Sequence, residues 1–184
     1  MEAYDDLQVI LVLPSDYMDI GKQIIAYFDK DRISMTAGGD TRFQSVKNGL
    51  ELVEEESIIF VHDGVRCLLT KELINRCYQK ALETGTAIPA ITSKDSIRLI
   101  NKEDNKSFDR DKVMLVQTPQ TFQSKILISA FQVNYKDEFT DEATVVEASG
   151  VKVSLVEGEE NNIKITRPGD LLIAEKILER AGQT

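Results

Sequence analysis

The stretch SIIFVHDGVRCLL (57–69) begins as an apolar strand and runs into His62, Asp63 and Arg66. An uninterrupted apolar run of this kind fits a strand covered on both faces. In parallel α/β sheets, ligands collect beyond the carboxyl ends of the strands, so charged groups there are candidates for chemistry. Working outward, LQVILVLP (7–14) is a second such run, stopped by a proline, and RISMTA (32–37) leads into Gly38-Gly39-Asp40. TAIPAI (86–91), VMLVQ (113–117), VKVSLVEG (151–158) and NIKIT (162–166) supply further strands. Helical spacing recurs between them, at Ile20, Ile24, Tyr27 and Phe28, at Val46, Leu50 and Val53, and at Leu73, Cys77 and Ala81. Pro168 opens a last helix and Gly182 follows it.

Strands alternating with helices over short connections imply an α/β fold with a Rossmann-like, mostly parallel sheet and helices on both faces. At 184 residues the chain suits one domain over 1–184. The pattern loosens around 97–116, where the charged run NKEDNKSFDRDK (101–112) lies between β-prone pieces and reads as a hairpin arm.

Composition narrows the function classes. With 22 basic residues against 31 acidic, the net charge of −9 argues against nucleic acid as a partner while leaving room for a local anion pocket. No apolar run approaches a membrane span, and no basic-then-apolar leader opens the sequence, so no membrane association is expected. Cys67 and Cys77 form no CxxC pair and His62 is the only histidine, which excludes a zinc finger or ribbon. Buried thiols in a reducing, cytoplasmic setting are expected.

The strand ends gather unusual residues. Strand 33–37 ends at Gly39 and Asp40, strand 58–62 at Asp63, Gly64 and Arg66, and strand 86–91 approaches Ser96. Strand 113–117 ends at Thr118-Pro119-Gln120, and the last short strand carries Lys164. Each has an ordinary reading. Asp40 or Ser45 can cap a helix, Asp63 can pair with Arg66, Thr140 can cap the helix after it, and His62 can be a satisfied structural histidine. Taken together, a magnesium-type carboxylate, several cations and hydroxyls, and glycines that allow close approach suit phosphoryl or nucleotidyl transfer. The glycine turn is not a GxGxxG fingerprint, so a nicotinamide cofactor is not indicated.

In order and spacing, AGGDTRFQSVKNGL, VHDGVR, AIPAITSKDSIR, DRDKVMLVQTPQTF, FTDEATVVEASG and NIKITRPGDLLIAEKIL resemble the 2-C-methyl-D-erythritol 4-phosphate cytidylyltransferase family across nearly the whole chain. The resemblance implies a nucleotide-diphospho-sugar transferase type of fold. It also implies a reaction between CTP and a polyol phosphate that releases pyrophosphate, on the way to isoprenoid precursors. Gly39, Asp40 and Ser45 then correspond to the base-reading loop, Asp63 to the carboxylate that holds Mg2+, and Gly64 to a nucleotide contact. Arg66, Ser96, Arg110, Thr118 and Thr140 match positions that grip the polyol phosphate, and Lys164 the transition-state cation. The arm implies a homodimer in which Arg110 serves the neighbouring site. Cys67 stands where the family has proline, and Ser96 where it has threonine.

The family's opening strand, its AAGxGxRM loop and its PKQ lysine have no counterpart in these 184 residues. That first strand would lie between strands 7–13 and 58–62, so an unfilled slot is expected there. One lost preorganised donor costs roughly 10²- to 10³-fold in rate, so weak or absent turnover is expected of this polypeptide. The nearest alternatives are a ribitol-5-phosphate cytidylyltransferase and a non-catalytic, dimerising nucleotide-binding module.

Overall fold

A computed structural model describes residues 4–181. Strand β1 (Val9–Leu13) pairs in parallel with β2 (Ile33–Ala37), and between them runs α1 (Met18–Ile25). Helix α2 (Arg42–Leu50) starts just after β2. Its N-cap is Thr41, whose hydroxyl accepts from the Gln44 N–H, so neither Asp40 nor Ser45 takes the capping place expected of them. Ser45 instead accepts from the Gly39 N–H at 3.1 Å.

The second sheet has the order β3-β8-β4-β7, with β9 on β4; its strands are β3 (Ile58–Val61), β4 (Thr86–Thr92), β7 (Met114–Val116), β8 (Gln120–Gln123) and β9 (Leu155–Glu157). β4 and β9 are parallel, and β3 and β4 both run opposite to β8, so these three point the same way. β7 and β8 are the reversed members. The cause lies in the arm: β5 (Ile97–Ile100) and β6 (Asn105–Phe108) form a hairpin, which returns the chain without a crossover and sends the next strand back antiparallel. Asn101 makes the arm's turn, its N–H donating to the Asp104 carbonyl while its side chain accepts from the Asp104 N–H at 2.7 Å. The NIKIT segment is not a strand. It runs irregularly beside the turn after β3, and the Ile165 N–H donates to the Val65 carbonyl.

Helix α3 (Lys71–Thr84) shows how sequence sets the core. Thr70 caps its start, Leu73, Cys77 and Ala81 bury one stripe against β4, and Gly85 ends it at φ 87°, a left-handed position that favours glycine. On the other face, α4 (Ser124–Ala130) and α5 (Glu142–Ala148) pack with α2 around Phe122, Leu127 and Val146. Phe43 stacks on Phe131 at 4.7 Å. Helix α6 (Pro168–Ala181) closes the described chain.

Strands β1 and β3 were expected to be covered on both faces; both are half-buried. Among the described residues each pairs along one edge only, and no strand joins the β1–β2 pair to the five-stranded sheet. Helix α2 connects them instead. A Cβ on Gly49 would lie 3.1 Å from Val12, and Phe43 and Leu50 share a cluster with Ile59 and Val61. Cys77 is buried as expected, whereas Cys67, just past the turn, is exposed.

Candidate active site

The turn after β3 is the centre of the site. The Arg66 N–H donates to the Asp63 carbonyl at 2.9 Å and closes the turn around Gly64. A Cβ added to Gly64 would meet open space, so the position borders room rather than protein. The register of β8 on β3 pairs Val61 with Gln120 and brings Thr118 beside Asp63. A reversed strand can thus deliver the polar residues that lead into it to the carboxyl end of a neighbour.

The Thr118 hydroxyl accepts from the Asp63 N–H at 3.0 Å and lies 3.1 Å from His62 Nδ1. Its single proton therefore goes to Nδ1, and Nε2–H of His62 donates to the Arg66 carbonyl at 2.9 Å. Burial lowers the His62 pKa, and the ring is a neutral clasp that fixes both ends of the turn. It is the satisfied histidine anticipated from sequence.

Asp63 is surrounded by cations from three segments. Arg42 Nη1 reaches Oδ1 at 2.7 Å, Lys164 Nζ reaches Oδ2 at 3.1 Å, and Arg66 Nε lies 3.5 Å from Oδ2. Burial alone would raise the Asp63 carboxyl, but Lys164 and Arg42 outweigh it and hold the group below the usual carboxylate range. Burial conversely lowers the Arg66 guanidinium, and Asp63 only partly offsets this. Arg66 also donates from Nη1 to the Asn162 carbonyl at 2.6 Å, while its Nε and the buried Asn162 Oδ1 lack hydrogen-bond partners.

Gly39, Asp40 and Ser45 line a cavity of about 260 Å³ with Val12, Leu13, Pro14, Ser15 and Gly38 at the carboxyl ends of β1 and β2. Close packing explains the glycine here, since a Cβ on Gly39 would fall 2.2 Å from Gln44. Arg42, the first residue of α2, ties this cavity to Asp63.

The remaining expected residues stand apart from this cluster. Ser96 is exposed at the base of the arm. Arg110 reaches back to the Lys94 carbonyl at 2.9 Å, which sets it near Ser96. Thr140 is exposed and does not cap α5. Asp141 does, in a capping box with Thr144 and with a second bond from the Gln120 side chain.

Two residues of the cluster were not singled out from sequence. Arg42 lies inside the AGGDTRF phrase, but on a helix face it reads as a solvated charge. Glu142 reads as an acidic residue at a helix start. In the fold it is buried and takes Arg42 Nη2 at 2.7 Å. Nothing local in the sequence marks a pair one hundred positions apart.

Among the described residues no three of His, Cys, Asp and Glu gather as a metal site. Asp63, anionic and reached from an open turn, fits a cation that brings most of its ligands as water and phosphate oxygens, as magnesium does.

The chain is similar in sequence and fold to known proteins. The family model described as 2-C-methyl-D-erythritol 4-phosphate cytidylyltransferase matches residues 1–180. A protein of that name from Bacteroides thetaiotaomicron is 42% identical over 174 residues, covering 94% of this chain and 79% of the relative. The crystal structure of the 4-diphosphocytidyl-2C-methyl-D-erythritol synthase from Anaerococcus prevotii superposes with a TM-score of 0.83 at 31% identity, covering 94% of this chain and 78% of that one. That of the Thermus thermophilus cytidylyltransferase superposes at 0.77 with 30% identity, covering 95% and 84%.

Proposed function

The chain belongs to the 2-C-methyl-D-erythritol 4-phosphate cytidylyltransferase family, and from that premise we propose that it joins CTP to 2-C-methyl-D-erythritol 4-phosphate, forming the CDP-alcohol and pyrophosphate. The observation that carries the reading is the Asp63 cluster. Three cations converge on one depressed carboxylate, at the end of a turn linked by Arg42 to a glycine-lined cavity.

In this reading the cavity at Gly39, Asp40 and Ser45 takes the base, and the open face of Gly64 takes the phosphates. Magnesium, held by Asp63, supplies charge neutralisation to the triphosphate. Lys164 and Arg66 turn from Asp63 toward the phosphates and neutralise the charge that grows on the oxygens around the α-phosphorus as the alcohol's phosphate attacks it. Such transfers need positioning and charge more than proton shuttling, which suits a site whose only histidine is used up in structure. Thr118, its hydroxyl engaged with Asp63 and His62, keeps one lone pair for a ligand donor.

Ser96, Arg110 and Thr140 form the polyol-phosphate side, completed across a homodimer. The exposed apolar residues Leu99, Ile100 and Phe108 of the arm, with Met114, Leu115 and Val116 of β7, support such an interface. The exposed free thiol of Cys67 supports a reducing, cytoplasmic setting. No helix of the described residues is long and apolar enough to cross a membrane. The names carried by the relatives favour methylerythritol over ribitol phosphate.

The test has two parts. Calorimetric titration of CTP with magnesium should show binding that disappears in Asp63→Ala. Incubation with CTP, magnesium and either polyol phosphate should yield the CDP-methylerythritol mass and no CDP-ribitol. A folded protein that neither binds CTP with magnesium nor forms CDP-methylerythritol overturns the reading. The rate in the same assay tests the expectation of weak turnover drawn from the sequence.

A further inference from the structure

Glu142 has no part in the chemistry above, yet it is held with unusual care. Its side chain is 1% exposed, in the first turn of α5. The two residues that flank it are fixed to β8 by one side chain. Gln120 Nε2 donates to Asp141 Oδ2 at 2.8 Å, and Gln120 Oε1 accepts from the Ala143 N–H at 2.8 Å. Gln120 is itself 1% exposed and sits two residues beyond Thr118 on the same segment. The contacts close a ring: Thr118 to Asp63, Asp63 to Arg42, Arg42 to Glu142, and Glu142 through α5 and Gln120 back to β8.

Arg42 divides its fork across this ring. Nη1 holds Asp63 Oδ1 and Nη2 holds Glu142 Oε2, both at 2.7 Å. The contacts of Asp63 Oδ2 are longer, at 3.1 Å to Lys164 and 3.5 Å to Arg66. A guanidinium shared with a buried carboxylate is not free to follow an incoming phosphate, because leaving would strand that carboxylate without a partner. Lys164, 47% exposed, has no second carboxylate of this kind among the described residues.

We propose that Glu142 is a positioning residue that acts through Arg42: it keeps Oδ1 of Asp63 engaged and its own charge in the cluster, leaving Oδ2 as the oxygen that exchanges its cationic partners for the substrate's metal ion. The proposal rests on the reading of Asp63 as the magnesium carboxylate. It also assigns Arg42 a part distinct from those of Lys164 and Arg66, since it remains in place while they turn to the phosphates.

Removing the buried negative charge leaves three cations facing one carboxylate, so a divalent cation should be less welcome. With Mn2+ as the probe, read by electron paramagnetic resonance in the presence of CTP, Glu142→Gln should raise the half-occupancy concentration roughly tenfold or more. In an Arg42→Gln background, where Glu142 has no guanidinium to act through, adding Glu142→Gln should change it by less than about threefold, a coupling that two independent roles would not show. Independently of nucleotide, the side-chain carboxyl carbon resonance of Asp63 should move in Glu142→Gln. It should also move in Arg42→Lys, which keeps the charge but cannot span two carboxylates.

An Asp63 resonance unmoved in both folded variants overturns the proposal. So does a Glu142→Gln effect on Mn2+ binding that is as large in the Arg42→Gln background as in the parent protein. If the parent protein takes up no Mn2+ with CTP, the proposed function fails, and the Asp63 resonance alone then decides whether Glu142 positions that carboxylate.

Discussion

The side chain of Asp63 is 8% exposed and meets cations from α2, the β3 turn and the NIKIT segment, whereas that of Arg110 is 55% exposed and reaches the Lys94 carbonyl and, at 3.9 Å, Asp111. One half of the candidate site is thus cross-linked by long-range contacts before any ligand arrives. The other, with Ser96 and Thr140, lies open on the surface of a single chain. Preorganisation of this kind belongs where charge must be stabilised during the reaction. A half that recognises a flexible substrate can be completed by a neighbouring subunit, and the exposed apolar residues of the arm favour that arrangement.

Subunit mixing would sharpen the contrast most. Arg110→Ala and Lys164→Ala should each be nearly inactive alone. If Arg110 serves the neighbouring site, an equimolar, re-equilibrated mixture should regain about a quarter of parental activity, because half of the dimers are mixed and one site in each is intact. Mixed protein that stays inactive would place the arm's contribution within its own chain.

Stability should separate the halves as well. His62→Phe removes the clasp between Thr118 and the Arg66 carbonyl, leaves buried polar groups unpaired, and should cost about 1–3 kcal/mol in denaturant unfolding. Arg110→Ala should change stability by no more than about 0.5 kcal/mol. Equal effects would break the distinction.

The smallest expected effect is on pH dependence. Lys164 and Arg42 hold the Asp63 carboxyl below its usual value despite burial. Its contribution to stability is therefore present above the unfolded value, about pH 4, and is lost as the pH falls through the lower folded value. Burial raises the Glu142 carboxyl against the pull of Arg42, so it acts with the opposite sign, its share being lost as the pH rises through its folded value. Unfolding midpoints measured from pH 6 downward should thus fall less steeply in Asp63→Asn than in the parent; parallel curves would contradict the assignment.

How much of this was legible depended on distance along the chain. Strand ends could be read because apolar runs stop at identifiable residues, as at Asp63 and Gly38. Contacts set by register and by helix docking could not. The pairing of Arg42 with Glu142 requires α2 and α5 to meet over β8, and neither residue differs in sequence from a surface charge. The reversal of β7 and β8 follows from reading the arm as a hairpin, but parallel alternation on either side of it concealed that consequence. NIKIT has a strand's alternation but pairs with no strand among the described residues, and it is tied to the β3 turn through the Ile165 N–H and the Val65 carbonyl. Thr140 was the expected cap, but the bond from Gln120, seen only in the fold, comes to its neighbour Asp141, which caps α5 instead.

The pairing of Val61 with Gln120 has a further meaning for tolerance to insertions and deletions. At the arm's tip, between Asn101 and Asp104, residues can be added or removed with only an exposed turn to rebuild. Deleting one residue at Gln117–Pro119 would shift the segment by about 3.3 Å and turn its side chains to the opposite face. The Thr118 hydroxyl would leave Asp63, and Gln120 would lose α5 in the same step. Length variation in this chain should accordingly collect at the arm's tip and be absent from the three residues between β7 and β8.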